Sequence, residues 1–594
     1  MKKNITIEFS FLFILLIYSI IITKCHTISL GLIPLFCGLY SFKIPQIKII
    51  NNKTLAIVLL LFIIVFSINF LAVFNFETYQ LKVPHPDFSL YLKIASYFNQ
   101  IGIENNLTAK TVLFDKVNFA TPYRFFDTWL LALLIKVLPY SDLQVLQLFY
   151  LPLLWFMVTF SIYRNVDFVK NNSVKILLSI SFLFLFGDYL TNFFILKAPI
   201  GELCVVSYPK LAIFFCSFIY YFKQQLNNNN SKHDSILFLA FLPILIQTTF
   251  PIYLFIYSYL IINYKYFLEN KKIVIAIVFS SIYFLGFYGY NFYLAKEIFQ
   301  VGQFQFVKSF PEYFHRLASI LFNLVKAKLL LFIIISLIFV FVADYNRKKI
   351  YLRMLSIAMA IIISGAIIYA FFPSSPNSYQ LMTNLIFPVN ITFLFFIWVD
   401  GLSIATNKVY LLNCSMIFIL ALFGAYNQYN EMGFFNVKNV FTNVNNEYFV
   451  QQSQQVLRNS KNPIGITYWS KKNENRSNME HFDQFGTDFL VRLGANFDVV
   501  CLSALHKKED SYADKVFKHY SAIGIYQRIE HKSIVNLESD FYHRYKFEFL
   551  ISDEAVQFLP DYIKKDVINV VFDTKSKIYL YSLKRKNNNS LKVN

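Results

Sequence analysis

The sequence predicts a mainly α-helical, polytopic membrane protein: a bundle of about thirteen spanning helices followed by an extracytoplasmic α/β domain. Three observations predict this fold class. Of the 594 residues, 56% are hydrophobic and only 15% are charged, well under the roughly 25% usual for soluble proteins. Apolar runs long enough to cross a bilayer recur along residues 1–425, separated by short basic loops. Within residues 450–585, short stretches alternate between strand and helix patterns.

The spans follow from the length of the apolar runs. A helix needs about 20 apolar residues to cross a typical hydrocarbon core, and fewer where the bilayer thins. On that rule the spans lie near 7–23, 27–42, 54–73, 142–162, 176–196, 206–222, 235–248, 250–263, 272–292, 329–343, 354–372, 380–399 and 408–425. The first run follows two lysines, but no small-residue cleavage pattern follows it. We therefore interpret it as a retained span.

The formal charge of +20 is explained better by the orientation of the chain in the membrane than by a nucleic-acid partner. The chain from Tyr426 onward carries only about +4, and most of the remaining charge lies in short loops between apolar runs, as orientation signals do. The positive-inside rule then places the N-terminus in the cytoplasm. The outer loop 74–141 and the whole C-terminal domain fall on the other side of the plasma (inner) membrane.

The apolar stretch from Ile236 to Tyr264 is long enough for one helix or two short ones, with Pro251 marking a break. Lys232 precedes the stretch and Lys265 follows it, and both flanks are short and basic. The charge rule puts both flanks in the cytoplasm. We therefore expect the chain to enter the membrane and return within this stretch.

A second apolar stretch, residues 127–141, is about half a span long and contains Lys136. We interpret it as re-entrant or interfacial. A full crossing would move every later loop to the opposite side and break the charge rule.

After the last span, residues 426–449 form a polar linker. Residues 450–585 then form a compact α/β domain that ends in a hairpin-like NVVFDTKSKIYLYSL, and residues 586–594 form a disordered tail. The six cysteines stand alone, with no CxxC and no spacing typical of a metal site, so neither a zinc site nor a disulfide framework is indicated.

The main candidate for chemistry is Asp87, in the segment KVPHPDFSLYLKIASYFNQIGIENN after the third span. A carboxylate held there is a possible general base for an acceptor hydroxyl while a lipid-linked donor stays in the bilayer. His85 and Tyr91 are its nearest polar neighbours with substrate-binding potential. The competing interpretation is that Asp87 caps an amphipathic helix beginning near Ser89 and lying on the membrane surface.

The motif around Asp87, the surface helix and the segment PYRFFDTWLLALLIKVLPYS resemble the GT-C class of multi-spanning glycosyltransferases, which use polyprenyl-phosphate sugars. The C-terminal domain, with LISDEAVQFLP and a final hairpin, also resembles their outer domain. Many members carry two adjacent acidic residues in this loop, whereas His85 and Pro86 precede a single Asp87 here. The resemblance implies sugar transfer outside the cytoplasm, with Asp87 as base and a polyprenyl-phosphate sugar as donor.

The resemblance also implies basic groups in other outer loops that hold the lipid phosphate, since a desolvated anion needs a charged partner. Lys197, Lys210, His315 and Arg316 are the candidates, and Glu202 is a candidate for orienting the acceptor or binding a divalent metal. The competing interpretation for each cation is a snorkelling side chain near a span end.

Three other functions stay open from the sequence. A flippase or transporter of lipid-linked glycans would need polar groups at mid-membrane depth, where Asp188, Gln247 and Asn291 are the few candidates. A glycan polymerase or ligase would use arginine-rich outer loops, which here reduce to Arg124 and Arg316. A non-catalytic membrane protein whose α/β domain binds a partner is the third. The sugar, the acceptor, metal use and the oligomeric state are not determined by the sequence.

Overall fold

The structure is a computed structural model of the chain. It describes residues 18, 21, 52–76, 80–81, 86–105, 107–114, 117, 119, 125–167, 169–183, 211–226, 231–294, 307, 309–324, 337, 340–341, 343–371, 385–402, 415, 419, 422, 451–453, 455–456, 464–469, 498–506, 518–519, 521–530, 536–545, 547–574 and 577–584. The linker 426–449, the tail 586–594 and most of the predicted spans 7–23, 27–42, 176–196, 329–343 and 408–425 lie outside this part of the chain.

The helical region comprises the helices described between residues 52 and 402. In chain order they are α1 (Asn52–Val73), α2 (Pro86–Ile101), α3 (Ala109–Leu113), α4 (Phe125–Val137), α5 (Asp142–Asn165), α6 (Asn172–Phe182), α7 (Leu211–Leu226), α8 (Ser231–Asp234), α9 (Ile236–Ala240), α10 (Leu242–Leu245), α11 (Ile252–Ile262), α12 (Tyr264–Glu269), α13 (Lys271–Leu294), α14 (Phe310–Leu324), α15 (Tyr345–Ala370) and α16 (Phe387–Leu402). A short hairpin, β1 (Phe74–Asn75) with β2 (Gln80–Leu81), follows α1.

Three of these helices are long and apolar enough to cross a membrane: Asp142–Asn165, Lys271–Asn291 and Tyr345–Ala370. Five shorter apolar helices accompany them among the described residues. The chain is therefore built mainly of apolar helices, as predicted, whereas the number of about thirteen spans stays a prediction.

One end of the helical region collects the basic loops, and we name it the basic end. It is formed by residues 163–167, 169–175, 223–226, 231–234, 263–272, 344–353 and 400–402. Lys223 forms an ion pair with Asp167, and Arg347 lies 3.5 Å from the Asp400 carboxylate. Described residues of the loops that the charge rule assigned to the cytoplasmic side are thus in contact, with Lys223 joined to Asp167 and Arg353 to Gln225.

The stretch from Ile236 to Tyr264 is broken and turns back, as its flanking charges predicted. The backbone of Ile246 is extended, and a 3₁₀ turn over Gln247–Thr249 separates α10 from α11. At the other end of this hairpin, the Tyr266 hydroxyl donates to Asp234 at 2.5 Å. Both flanks therefore lie together at the basic end.

The opposite end of the helices, which we name the domain end, carries the turns predicted to lie outside. The Tyr369 hydroxyl donates to the backbone oxygen of Thr248 at 2.6 Å, and Ser96 donates to Asp142 at 3.2 Å. These contacts join the turn of the hairpin to the C-terminal end of α15, and the beginning of α5 to α2.

Helix α4, predicted to be re-entrant or interfacial, is short and stays at the domain end. It spans 13 residues, and its Trp129 ring lies 6.1 Å from Phe98 on α2. Asn99 on the same helix donates to the backbone oxygen of Ala132 at 2.9 Å. Asp142, beyond the end of α4, also contacts α2. The chain therefore enters and leaves α4 at the same end of the helical region.

The α/β domain contains a five-stranded sheet in the order β4-β3-β5-β7-β6. Its elements are β3 (Ile464–Tyr468), β4 (Asp498–Cys501), α17 (Ala522–Ile529), α18 (Leu537–Tyr545), β5 (Phe549–Ser552), α19 (Asp561–Lys564), β6 (Val567–Asp573) and β7 (Ile578–Leu583). Strands β4, β3 and β5 are parallel, and β5, β7 and β6 are antiparallel. The predicted C-terminal hairpin is confirmed as β6 and β7.

Gly465 allows β3 and β5 to pack closely. A Cβ atom at this position would lie 2.2 Å from the Phe549 ring, which is fully buried and has no free space to move into. We expect Gly465→Ala to destabilise the protein by about 2 kcal/mol, in the range found for overpacked cores. Thermal unfolding of the purified protein measures it. Gly286→Ala is the matched control, because nothing lies within 4 Å of its Cβ; equal effects of the two substitutions would contradict the prediction.

Candidate functional site

Helix α2 lies between the helical region and the α/β domain. Its Ile94 and Phe98 belong to the core of the helical region, whereas Tyr97 belongs to the core of the α/β domain. From Tyr91 to Ala95 every side chain is buried. The predicted surface helix is therefore covered on both sides, because the C-terminal domain occupies the face that the sequence pattern assigned to water.

The segment after α2 joins the same domain core. Leu107, Val117 and the Phe114 ring are buried against the domain, and the Phe114 ring lies 6.3 Å from Phe541 and 5.6 Å from Tyr545. We name the contact of α2 and residues 107–114, 117 and 119 with the α/β domain the junction. It places the first outer loop and the C-terminal domain at the same end of the helices, the condition on which the predicted site depends.

The centre of the junction is polar and buried. Lys93 is 5% exposed and Asp498, at the beginning of β4, is 3% exposed. The Tyr97 hydroxyl donates a hydrogen bond to the Asp498 carboxylate. Burial lowers the pKa of Lys93, and the nearby carboxylates of Asp498 and Asp142 act in the opposite direction. Burial and Asp498 both raise the pKa of Tyr97.

A second buried carboxylate, Glu104, lies just beyond α2. It is 1% exposed and close enough to the Tyr288 hydroxyl of α13 to interact with it electrostatically. The neighbouring Asn105 side chain donates to the backbone oxygens of Val117 and Phe119 at 3.1 and 2.7 Å. This amide fixes the course of the loop that carries the junction.

Asp87 occupies the first turn of α2. The helix begins at Pro86, so Asp87 is its second residue and lies within the first turn, not at the capping position before it. Proline favours the first position of a helix, and an acidic residue in the first turn is stabilised by the helix dipole. Only the backbone of residues 86–90 is described, so the direction of the carboxylate stays a prediction.

Of the other predicted site residues, Tyr91 is 7% exposed within the core of the helical region. His315 is exposed on α14, and Arg316 on the same helix lies 3.7 Å from Glu312. The Tyr313 hydroxyl donates to the backbone oxygen of Ile367 at 3.1 Å, which holds this helix against α15 near the domain end. The remaining candidates, His85, Lys197, Glu202 and Lys210, lie outside the described residues, as does Asp188.

Within the described part of the chain, no three His, Cys, Asp or Glu side chains lie close enough together to bind a metal ion. Lys93, Glu104 and Asp498 were not singled out from the sequence. Each is an isolated charge in an apolar or alternating stretch, and a pattern of this kind is equally typical of a solvated helix face or loop. Lys93 and Asp498 are buried where α2 meets the α/β domain, whereas Glu104 is buried near Tyr288 of the helical region.

Comparison with known proteins gives the following findings. No protein-family model matches this chain, and no similar sequence is found among curated proteins. Among solved structures, ArnT from Cupriavidus metallidurans bound to undecaprenyl phosphate is similar with a TM-score of 0.45 and 7% identity, over 90% of this chain and 98% of that chain. The archaeal oligosaccharyltransferase AglB from Archaeoglobus fulgidus, in complex with an inhibitory peptide and a dolichol-phosphate, is similar with a TM-score of 0.35 and 10% identity, over 84% of this chain and 69% of that chain. At these scores the likenesses do not by themselves assign a family or a function.

Proposed function

We propose that this chain is a membrane glycosyltransferase that moves a sugar from a polyprenyl-phosphate donor to an extracytoplasmic glycan, lipid or protein acceptor. The observation that carries the proposal is the position of α2. This helix, which carries Asp87 in its first turn, is held between the apolar helices and the α/β domain, and its residues 91–95, 97 and 98 are buried there. A lipid-linked donor and a hydrophilic acceptor would meet at such a boundary.

In the proposed reaction, Asp87 takes the proton of an acceptor hydroxyl as the hydroxyl oxygen attacks the anomeric carbon of the sugar. A bond forms between that oxygen and the anomeric carbon, and the bond between the anomeric carbon and the phosphate oxygen breaks. The polyprenyl phosphate leaves as an anion. The packing of α2 against both the helical region and the α/β domain supports this role, because a general base must be held within hydrogen-bond reach of the proton that it removes.

The leaving phosphate needs positive charge near the membrane surface. Arg316 and His315 on α14, together with Lys197 and Lys210, are the proposed partners. Arg316 is partly exposed and is held by Glu312 in an i,i+4 pair, so a guanidinium is positioned on a helix of the domain end. Glu202 is proposed to orient the acceptor.

The transfer assay uses the full chain in liposomes with a panel of radiolabelled undecaprenyl-phosphate monosaccharides. We expect the radiolabelled sugar of one donor to move to an acceptor fraction, with undecaprenyl phosphate as the second product. A lipid flippase would instead move label between leaflets without cleaving the sugar from the phosphate. Intact donor after prolonged incubation with every acceptor fraction would reject the transferase.

Arg316→Ala should raise the apparent KM for the lipid donor about tenfold, with kcat little changed, since a hydrogen bond to a charged group contributes about 1.5 kcal/mol or more. Initial rates at varied donor concentration measure the effect. Lys349→Ala, which removes an exposed cation at the basic end, is the control. An unchanged KM in the Arg316 variant would argue against a phosphate contact.

The orientation is tested by cysteine labelling in a variant lacking the six native cysteines. We expect Asp561→Cys, at a side chain that is 87% exposed in the α/β domain, to react with a membrane-impermeant maleimide in intact cells. Lys349→Cys should react only after permeabilisation. Labelling of Lys349→Cys in intact cells, or protection of Asp561→Cys, would place the site on the wrong side of the membrane for the proposed donor.

A further inference from the structure

A second polar cluster lies at the basic end, remote from the junction. We name it the basic-end cluster, and it consists of Tyr221 and Gln225 on α7, Lys232 and His233 on α8, Tyr259 on α11 and Arg353 on α15. The four helices α7, α8, α11 and α15 therefore contribute to one group. From the sequence alone, Lys232 and Arg353 indicate only the orientation of the chain in the membrane.

Hydrogen bonds connect the members of the cluster. The Arg353 guanidinium donates to the backbone oxygen of Gln225, and the Gln225 amide nitrogen donates to the backbone oxygen of Lys232 at 3.1 Å. The Tyr259 hydroxyl lies 3.0 Å from Nδ1 of His233. The Arg353 guanidinium is thus held by α7, and the backbone at Lys232 is held by the Gln225 side chain.

Three polar atoms of the cluster are buried without a hydrogen-bond partner among the described residues: the Tyr221 hydroxyl, Oε1 of Gln225 and Nε of Arg353. Tyr221 and Gln225 are both fully buried. Buried polar atoms without partners are rare in folded proteins because each has lost its hydrogen bonds to water. Two of the three atoms are donors, which suits an anionic ligand.

The cluster is also positively charged. Lys232 and Arg353 are close enough to affect each other, and the pKa of Lys232 is lowered by burial and by Arg353. Within the described residues, neither cation forms an ion pair with a carboxylate. The carboxylate of the neighbouring Asp234 accepts a hydrogen bond from Tyr266 instead.

Exposed aliphatic side chains lie on α11, which carries Tyr259 of the cluster, and on α12, which follows it. Ile261, Ile262 and Leu268 are 72%, 77% and 61% exposed, on the same pair of helices that carries Tyr259 and Tyr266. Exposed aliphatic side chains beside a charged, partly desolvated group match a lipid, which has acyl chains next to its phosphate. Free phosphate would gain nothing from them.

We propose that the basic-end cluster binds the phosphate of an anionic phospholipid from the membrane leaflet at that end. Lys232 and Arg353 contact the phosphate oxygens, the Tyr221 hydroxyl donates a third hydrogen bond, and the acyl chains lie along Ile261, Ile262 and Leu268. The site is independent of the proposed glycosyltransferase activity. It would anchor the hairpin of α9 to α11 against α7 and α15.

Native mass spectrometry of the full chain in detergent tests the site, with titrations of phosphatidylglycerol and of phosphatidylcholine carrying the same acyl chains. We expect tighter binding of phosphatidylglycerol, and Lys232→Gln or Arg353→Gln should each weaken it about fivefold, the typical effect of one cation on anionic-lipid binding. Tyr221→Phe, which removes one oxygen and keeps the packing, should also weaken it. Lys349→Gln removes an exposed cation from the same end and should leave binding unchanged.

Equal weakening by Lys349→Gln and Lys232→Gln would overturn the proposal, because the attraction would then be diffuse. Equal affinity for the two lipids in the unsubstituted protein would overturn it as well. Displacement of phosphatidylglycerol by inorganic phosphate at equal concentration would assign the cluster to free phosphate and reject the lipid. The Tyr221→Phe titration keeps the test decisive if Arg353→Gln lowers the melting temperature, since it leaves both cations in place.

Discussion

Asp87→Asn should reduce sugar transfer at least a hundredfold, because the amide cannot accept the proton that a general base removes, and positioned bases typically contribute about a hundredfold to ten-thousandfold. The substitution keeps the size of the side chain. Asp87 lies in the first turn of α2, where loss of its charge should cost only about 0.5 kcal/mol of stability through the helix dipole. Activity should therefore fall far more than stability, and initial transfer rates together with thermal unfolding measure both.

The control is Asp561→Asn, the same chemical change at an exposed first-turn carboxylate of α19 in the α/β domain. It should leave the transfer rate unchanged, with a loss of stability of the same small size as that expected for Asp87→Asn. If Asp87→Asn retained transfer within about threefold of the unsubstituted protein, the role of Asp87 would reduce to stabilising the beginning of α2. The base would then have to be sought among other carboxylates, with Glu104 as a buried candidate in the same loop.

The course of the helices was predictable where local sequence carries the information. The turn after Thr248 follows from Pro251 beside it and from the lysines on both flanks, and all of these signals lie within the apolar stretch or next to its ends. The C-terminal hairpin is a local pairing for the same reason. The length of an apolar run and the charge of a loop are properties of a continuous segment, so both can be read directly from the sequence.

The environment of α2 was not predictable in this way. Lys93 and Tyr97 lie on the polar side of an amphipathic pattern, and such a pattern alone indicates a helix with one face in water. Their partner Asp498 lies far along the chain, at the beginning of a parallel strand. Only the docking of the α/β domain brings them together, and nothing near Lys93 in the sequence signals that contact.

Similarly, the sequence identified Arg316 by its place in an outer loop but could not show that Glu312 holds it. It also treated Lys232 and Arg353 as equivalent to every other loop cation. Their convergence depends on the packing of α7, α8 and α15, and the unpartnered atoms beneath them exist only in the folded chain. The sign of a charge can therefore be read from the sequence, whereas the partner of a charged side chain is determined by the tertiary structure.

The second large effect is expected at the junction. Asp498→Ala would remove the acceptor of the Tyr97 hydrogen bond and one of the two carboxylates that favour the charged form of Lys93. Breaking a buried ionic contact on one side typically costs about 3–5 kcal/mol, because the remaining charge keeps its desolvation penalty. We expect a loss of about this size in the unfolding free energy of the full chain, and a comparable fall in transfer rate as α2 loses its support.

The double variant Lys93→Met with Asp498→Leu separates the cost of an unpaired charge from that of lost packing. Replacing both buried charges with apolar groups of similar size is often neutral, so the double variant should recover most of the stability that Asp498→Ala loses. Asp142 keeps its hydrogen bond from Ser96 in that variant, and it is only partly buried. If the double variant were no more stable than Asp498→Ala, the two side chains would be energetically independent. The α/β domain would then be held on α2 by its apolar contacts, chiefly those of Phe114 with Phe541 and Tyr545.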